Sequence, residues 1–119
     1  MKDVNKIILM GRLGADPIRR ETKSGNPVVH FPIATSKKLK GAEEGEAMRE
    51  ETQWHRVVVW GKQGEDCAAY LKKGQGVFVE GSLKSRKYEA KDGSEKYSFE
   101  VVADSVSFLP RRELDAVSA

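Results

Sequence analysis

The alternation of side chains in residues 54–62 constrains the fold more than any other part of the chain. Successive side chains of a β-strand point to opposite faces, so a strand here places two tryptophans and two cations together. That face holds Trp54, Arg56, Val58, Trp60 and Lys62. Because soluble proteins normally bury tryptophan, indoles mixed with Lys and Arg favour a polyanion whose bases stack on the rings, such as single-stranded nucleic acid. On this segment alone, a half-buried strand with tryptophans packed under a loop is an open alternative.

Length and composition indicate one ordinary domain. The chain has 119 residues, of which 39% are hydrophobic, enough to bury a core of its own. Its single cysteine, Cys67, excludes an intramolecular disulfide and has no CxxC partner, which favours a buried structural thiol. No run approaches the ~18 apolar residues of a membrane span, and the apolar stretch 7–10 is too short for a signal peptide. We therefore expect a cytoplasmic protein with no membrane association.

Charge is unevenly distributed along the chain, although the formal net charge of +3 is modest. Residues 41–51 hold five acids and one base, Arg49, so this segment carries −4 and the remainder carries +7. A basic body suits an anionic partner, but many soluble proteins carry such a surplus on solvated faces. The charge supports a nucleic-acid partner only together with the aromatic residues.

Apolar runs separated by turn residues predict five strands and one helix. The helix is indicated by acids in its first turn, bases in its last turn and a closing glycine at position 74. An Asp-Gly pair at 92–93 predicts a hairpin turn before the last strand. The predicted strands span residues 4–13, 28–35, 54–62, 76–88 and 97–101, and the predicted helix spans residues 64–74.

Four local features describe how these elements connect. Pro32 cannot donate a ladder hydrogen bond, so its strand needs an edge, a bulge or a barrel corner there. Gly81 permits a bend within the long fourth strand. Residues 37–51 are charged and lack a sustained period, which predicts a long exposed loop. Arg19 and Arg20 fall in a basic connection between two turns.

Three strands, a short helix and two hairpin-connected strands are typical of a small sheet that curls and closes. We therefore predict an all-β fold, a five-stranded OB-fold barrel with one short α-helix between strands three and four. The barrel forms a single domain over residues 1–110, and residues 111–119 form a short C-terminal extension that we expect to be disordered. Such barrels bind oligonucleotides on the face of strands two and three and along the loops joining strands one to two and four to five.

Five spaced motifs stand in a recognisable order. They are VNKIILMGRLGADP at 4–17, IATS at 33–36, ETQWHRVVVWGK at 51–62, YLKKG at 70–74 and VEGSL at 79–83. With them, the sequence resembles the bacterial single-stranded DNA-binding (SSB) proteins over roughly residues 4–110. The resemblance implies an OB-fold homotetramer that binds and protects single-stranded DNA during replication, recombination and repair, and that is nucleoid-associated in the cytoplasm.

The resemblance also assigns roles to individual residues, and it implies binding without chemistry or cofactor. The implied base-stacking residues are Trp54, Trp60 and Tyr88. The implied phosphate contacts are Arg56, Lys62, Lys73, Lys84 and Arg86. His55 has the opposite parity to Trp54 and matches a family histidine located where subunits meet, which implies a place at a subunit interface.

The chain departs from the family pattern in two places. Family members often carry a tryptophan in the loop after strand two, where this chain has Lys, Lys, Leu and Lys at 37–40. Family members commonly end in a flexible tail whose acidic tip recruits replication and repair proteins, and residues 111–119 have no such tip. We expect those partners only if the native chain carries such a tail.

Four further aromatic residues are predicted to pack in the core, since one lies on the helix and the others alternate with polar residues. They are Tyr70, Phe78, Tyr97 and Phe99.

Three other functional classes are open at this point. The candidate acids and bases of an enzyme are Asp16, His30, Asp66 and His55. The two histidines lack metal-ligand spacing and no nucleophile motif or phosphate loop is present, so we predict neither an enzyme nor a metal site. An RNA-binding OB module would share the stacking and basic features. A protein-interaction barrel would instead bury Trp54 and Trp60 under a partner.

Overall fold

Six strands and one helix form the part of the chain that this computed structural model describes, residues 1–39 and 49–110. In chain order they are β1 (Ile7–Leu13), β2 (Ile18–Glu21), β3 (Pro27–Leu39), β4 (Arg49–Trp60), α1 (Gly61–Tyr70), β5 (Gly76–Glu89) and β6 (Glu95–Phe108). The predicted C-terminal extension, residues 111–119, lies outside the described residues.

Five of these strands close into a barrel. The sheet runs β1-β5-β6-β4-β3, and β3 returns to β1 through the pairs Arg12↔Ala34 and Leu13↔Ile33. β4 and β6 run parallel and pair at Val57↔Val101 and at the next position. The short strand β2 extends the sheet along the edge of β3. The closed five-stranded barrel, with its helix between the third and fourth barrel strands, confirms the predicted fold class.

Alternation along β3 and β4 builds the core. Val29, Phe31 and Ile33 of β3 are at most 1% exposed. Val57 and Val59 of β4 are fully buried beside them, and Phe31 pairs directly with Val57. These branched and aromatic side chains suit a pleated surface that is buried on one side. Because Val57 and Val59 point into the core, the alternate residues of β4 must point outward.

Helix α1 packs against β3 and β4 and buries Cys67, as predicted for the thiol. A Cβ on Gly64 would lie 3.1 Å from the carbonyl carbon of Val59, so the absence of a side chain allows the helix to approach β4. The helix spans Gly61–Tyr70, so the prediction that it continues to Gly74 is wrong. The backbone is already extended at Leu71, and Gly74 instead occupies the following turn with φ +90°.

Pro32 and Gly81 act as the sequence predicts. Along one edge of β3, the pairing partner changes from β2, whose first residue Ile18 is opposite His30, to β1, whose last residue Leu13 is opposite Ile33. Pro32 lies at this change of partner, and its carbonyl accepts the backbone N–H of Gly14 at 3.0 Å. The position needs no ladder donor, which is the corner environment expected for proline. The register of β5 against β6 shifts at Glu80/Gly81, which is the predicted bend.

Other boundaries also differ from the prediction, including those of the last strand, which spans Glu95–Phe108 instead of 97–101. The first strand begins at Ile7, because the Asn5 side chain binds the backbone of Leu83 through both its amide nitrogen and its oxygen. The supposed basic connection contains strand β2. The supposed loop 37–51 begins and ends within β3 and β4, whose pairing continues to Leu39↔Arg49. Residues 40–48 of that loop lie outside the described residues.

The prediction of core packing is wrong for three aromatic residues. Tyr70 is 68% exposed at the end of α1, and Tyr97 and Phe99 are 61% and 59% exposed on β6. Tyr97 and Phe99 lie where β5 and β6 extend beyond the barrel as a two-stranded hairpin, so no second layer covers them. Phe78 is half-buried.

Candidate nucleic-acid interface

The outward face of β4 presents both indoles to solvent. Trp54 is 62% exposed and Trp60 is 48% exposed, whereas the intervening Val57 and Val59 are buried. Val58 shares the outward face but is only 6% exposed. The parity derived from the sequence therefore holds from Trp54 to Trp60. Large aromatic side chains held at about half exposure offer flat apolar surfaces to a ligand.

Trp54 lies against a glycine of the loop between β1 and β2. A Cβ built on Gly14 would clash with Cζ3 of the indole and come within 2.8 Å of its Cη2 atom. Gly14 is held near β4 because its N–H donates to Pro32, which is paired with Arg56. The backbone of the loop therefore lies against the six-membered ring of Trp54, and the residue is still 62% exposed.

Arg56 lies between the two tryptophans and is paired with a carboxylate from another strand. Its Nε atom is 3.4 Å from Oε2 of Glu100 on β6, and the Glu100 residue is 8% exposed. Glu100 also faces Lys84 in the register of β5 against β6. One buried carboxylate thus connects the β4 face to the hairpin, and the Arg56 side chain remains 52% exposed.

The hairpin of β5 and β6 continues this face with three of the predicted site residues. Lys84, Arg86 and Tyr88 alternate along β5 and are exposed, Tyr88 at 46%. Their cross-strand partners are Glu100, Ser98 and Lys96. Lys87 has the opposite parity, and its Nζ pairs with Glu95 Oε2 at 3.0 Å. The two faces of the hairpin therefore differ, and the one that continues from Arg56 is the more basic.

Two predicted phosphate contacts do not share this sheet face. Lys62 belongs to α1, not to a continuation of β4, and its Nζ is 3.1 Å from Asp66 Oδ1 one helical turn away. The hydrogen bond to Asp66 raises the pKa of Lys62 above its ordinary value. Lys73 follows the helix, and its backbone N–H donates to Asp16 Oδ1 at 2.8 Å. Both side chains are exposed beside the sheet face.

On the other side of β4, the outward face extends over β3 to β2. It includes Ile18, which sequence reasoning did not assign to the site, and Arg20, which sequence reasoning placed in the basic connection between the first two predicted strands. Val28 pairs with both Trp60 and Arg20, and His30 pairs with both Val58 and Ile18. Arg20 and Ile18 therefore lie on the same face as the indoles. The alternation of side chains along β2 could have placed Arg20 and Ile18 on this face. However, all four residues of β2 are exposed, so the sequence has no alternation of apolar and polar residues that would identify the strand.

Arg19 has the opposite parity and is neutralised locally. Its Nη2 atom lies 2.9 Å from Glu65 Oε1 on α1 and 3.0 Å from Glu21 Oε1 on β2. The hydrogen bonds to Glu65 and Glu21 raise the pKa of Arg19. The ion pair between Arg19 and Glu65 links β2 to the helix. Arg20 is therefore the arginine of β2 that lies on the same face as the indoles.

His55 lies on the inward parity of β4, opposite to Trp54, as predicted. It pairs with Ile33 and is half-buried. Its Nε2 atom is 2.8 Å from the hydroxyl of Thr35 on β3. The imidazole therefore follows the buried side chains of Val57 and Val59 along the inward side of β4. It lies beside the Thr35 hydroxyl and away from the face that carries the indoles.

The described residues contain no group of three or more His, Cys, Asp or Glu side chains that could hold a metal ion. No helix among them is long and apolar enough to cross a membrane.

Comparisons with known proteins agree with this geometry. The family model described as the single-strand binding protein family matches residues 4–109. Single-stranded DNA-binding protein 1 of Chlorobaculum tepidum is 42% identical over 113 residues, which cover 94% of this chain and 68% of that protein. A solved structure, the Plasmodium falciparum SSB complex with ssDNA, has a TM-score of 0.80 and 30% identity, covering 92% of this chain and 98% of that one. The chain belongs to the single-strand binding protein family.

Proposed function

We propose that this protein binds single-stranded DNA without sequence preference and performs no chemistry on it. The observation that carries the proposal is the exposure of Trp54 and Trp60 on either side of Arg56, on a face that continues into a basic hairpin. Aromatic platforms beside a positively charged groove are the usual means of binding single strands. Family membership and the single-stranded DNA named for both relatives support the proposal.

In the proposed complex, bases stack on Trp54, Trp60 and Tyr88, and cations contact the phosphates. The proposed phosphate contacts are Arg56, Lys62, Lys73, Lys84 and Arg86. Each stacked base contributes about 1–3 kcal/mol, and every base offers a π-face, so the sequence preference is weak. If roughly five phosphates are neutralised, the slope of log K against log salt is near −3.5, from about −0.7 per phosphate.

We extend the proposal to the assembly and its setting on the basis of family membership. The protein acts as a homotetramer in the cytoplasm, associated with the nucleoid, and protects single strands during replication, recombination and repair. His55 lies at an interface between subunits. Replication and repair proteins are recruited through a C-terminal tail where the native chain has one.

The test is a titration of the protein with oligo-dT and with a duplex of equal length, followed by tryptophan fluorescence at two salt concentrations. We expect strong quenching by oligo-dT alone, weaker binding at the higher salt concentration, and lower affinity in each single variant, Trp54→Ala and Trp60→Ala, which keeps the other tryptophan as the reporter. Tyr70→Ala is the matched control, because Tyr70 is a highly exposed aromatic residue at the end of α1, off the proposed face.

Other outcomes of the same titration would contradict the proposal. No quenching, or an equal response to duplex, would mean that the indoles serve a protein partner. In a parallel titration with oligo-U, tighter binding than that of oligo-dT would favour an RNA-binding module. If Tyr70→Ala lowered affinity as much as the tryptophan variants do, the stacking face would be assigned to the wrong side of the barrel.

A further inference from the structure

One titratable side chain on the outward face has no part in the proposed contacts. His30 lies on β3, half-buried, in register with Val58 of β4 and Ile18 of β2. Its neighbours two positions away on the facing strand are Arg56 and Trp60. His30 is therefore at the centre of the surface that extends from β2 to the indoles.

Single-stranded DNA that stacks on both indoles would pass close to His30. Trp54 and Trp60 are six residues apart on β4, which is about 20 Å at the rise of a β-strand. The direct route for the DNA backbone between two bases stacked on these rings would cross the middle segment of β4. The exposed or half-exposed polar side chains of that segment are Arg56 on β4 and His30 on β3.

Charged groups from three strands face His30. They are Arg20 on β2, Arg56 on β4 and Glu100 on β6. Burial, followed by repulsion from Arg56 and Arg20, lowers the pKa of His30 below its ordinary value of 6.5, and Glu100 partly opposes this. In the free protein the imidazole is therefore neutral at neutral pH. A bound phosphate adds negative charge among the same cations, which favours the imidazolium form.

We propose that His30 is a further contact for the single-stranded DNA backbone and that it takes up a proton when the phosphates bind. The proposal rests on the function proposed above. It adds a donor that is present only in the complex, because a neutral imidazole between two arginines becomes a cation once a polyanion is in place. Binding of the strand and protonation of His30 therefore favour each other.

The sign of the pH effect follows from linkage. The complex holds one more proton than the free protein at each occupied His30, so affinity for DNA rises as pH falls through the range around neutrality, by up to about tenfold per pH unit. Stability of the free protein changes in the opposite sense. Because the pKa of His30 is lower in the folded protein, the unfolded chain binds more protons than the folded protein as pH falls through 6.5. The free energy of unfolding of the free protein therefore decreases as pH falls through this range.

The first measurement is the titration of the His30 ring protons by NMR, in the free protein and with saturating oligo-dT, whose bases do not ionise near neutral pH. We expect the pKa of His30 to be higher in the complex. The second is calorimetry of oligo-dT binding at pH 6.5 in buffers of different ionisation enthalpy. We expect net proton uptake by the unchanged protein and a smaller uptake by His30→Gln.

The outcomes separate this inference from the proposed function. Binding of oligo-dT with the same His30 pKa in both states would overturn the inference and leave the function intact. Equal proton uptake by His30→Gln and by the unchanged protein would also overturn it, because another group would then be responsible. Failure of the unchanged protein to bind oligo-dT at any pH would overturn the proposed function itself.

Discussion

Gly14 illustrates how a residue without a side chain shapes the candidate interface. The six-membered ring of Trp54 occupies the space that any side chain at position 14 would need. The indole therefore lies against backbone, which restricts its movement on that side while leaving it 62% exposed. A ring fixed before binding loses less conformational freedom when a base stacks on it.

Gly14→Ala is expected to weaken binding by displacing the Trp54 ring. The loss should be about 1 kcal/mol or more, up to the ~1–3 kcal/mol of one stacked base. It is measured by titration with oligo-dT, followed by tryptophan quenching, after circular dichroism has shown the fold to be intact. Ala15→Ser is the matched control, since Ala15 is the exposed next residue of the same loop. Unchanged affinity and quenching in a folded Gly14→Ala protein would refute the role of Gly14.

Local alternation explains why some residues could be predicted from the sequence and others could not. Trp54 and Trp60 were predicted to share a face because their parity is set within one strand. Gly14 and Glu100 escaped prediction because each acts on β4 from a distant part of the chain, and only the closed barrel brings them together. The sequence identifies His30 only as a candidate acid or base, because the charged groups around it come from three separate strands.

Among the elements, the hairpin of β5 and β6 separates two chemically different faces. Lys84 and Arg86 lie on the face that continues from Arg56, whereas Lys87 lies on the other and pairs with Glu95. The three residues belong to one strand and have similar charge. They therefore provide an internal comparison in which position on the hairpin is the main variable.

The double variant Lys84→Ala/Arg86→Ala is expected to reduce the salt dependence of oligo-dT binding. Each lost phosphate contact makes the slope of log K against log salt shallower by about 0.7, so the pair should change it by about 1.4. Lys87→Ala should change the slope by less than half as much, because its ammonium group is paired with a carboxylate. Equal changes in slope for the double variant and for Lys87→Ala would mean that both faces of the hairpin contact the strand.

Element boundaries were predicted well only where apolar periodicity or turn chemistry defined them. The Asp-Gly turn and the bend at Gly81 are local signals, and both hold. Strand β2 consists of four exposed residues, so only its pairing with β3 identifies it. The helix ends before the glycine that appeared to close it, because Gly74 donates its N–H to Leu13 of β1 at 2.8 Å in a tertiary contact.

At the scale of the whole molecule, Cys67 reports on the integrity of the barrel. Cys67 is a fully buried residue of α1, and burial raises the pKa of its thiol to about 11. At pH 8 we expect alkylation to be about 10³-fold or more slower in the folded protein than in guanidinium chloride, given a free energy of unfolding of ~5 kcal/mol. The measurement is the rate of iodoacetamide labelling by mass spectrometry. Comparable rates in both conditions would show that the helix opens without unfolding of the barrel.

His55→Lys tests the proposed assembly. A lysine at this half-buried position would lose the contact with Thr35 and place a charge at the proposed interface, so the tetramer should weaken. Light scattering at low micromolar concentration should report fewer than four subunits. Gln53→Lys, at an exposed position of the same strand, is the control. Retention of four subunits by His55→Lys would exclude the proposed interface role.

The way the barrel closes has a mechanical consequence. β3 and β4 pair along nearly all of their described lengths, as do β5 and β6, and β1 pairs with β5 at six positions. Among the described residues, the half formed by β3 and β4 and the half formed by β1, β5 and β6 are joined by two residue pairs between β1 and β3 and two between β4 and β6. Trp54 and Trp60 belong to one half, and Tyr88 to the other. Single-stranded DNA bound to all three residues would link the two halves across these short pairings. We therefore expect the DNA-bound barrel to resist separation of its halves more strongly than the free barrel does.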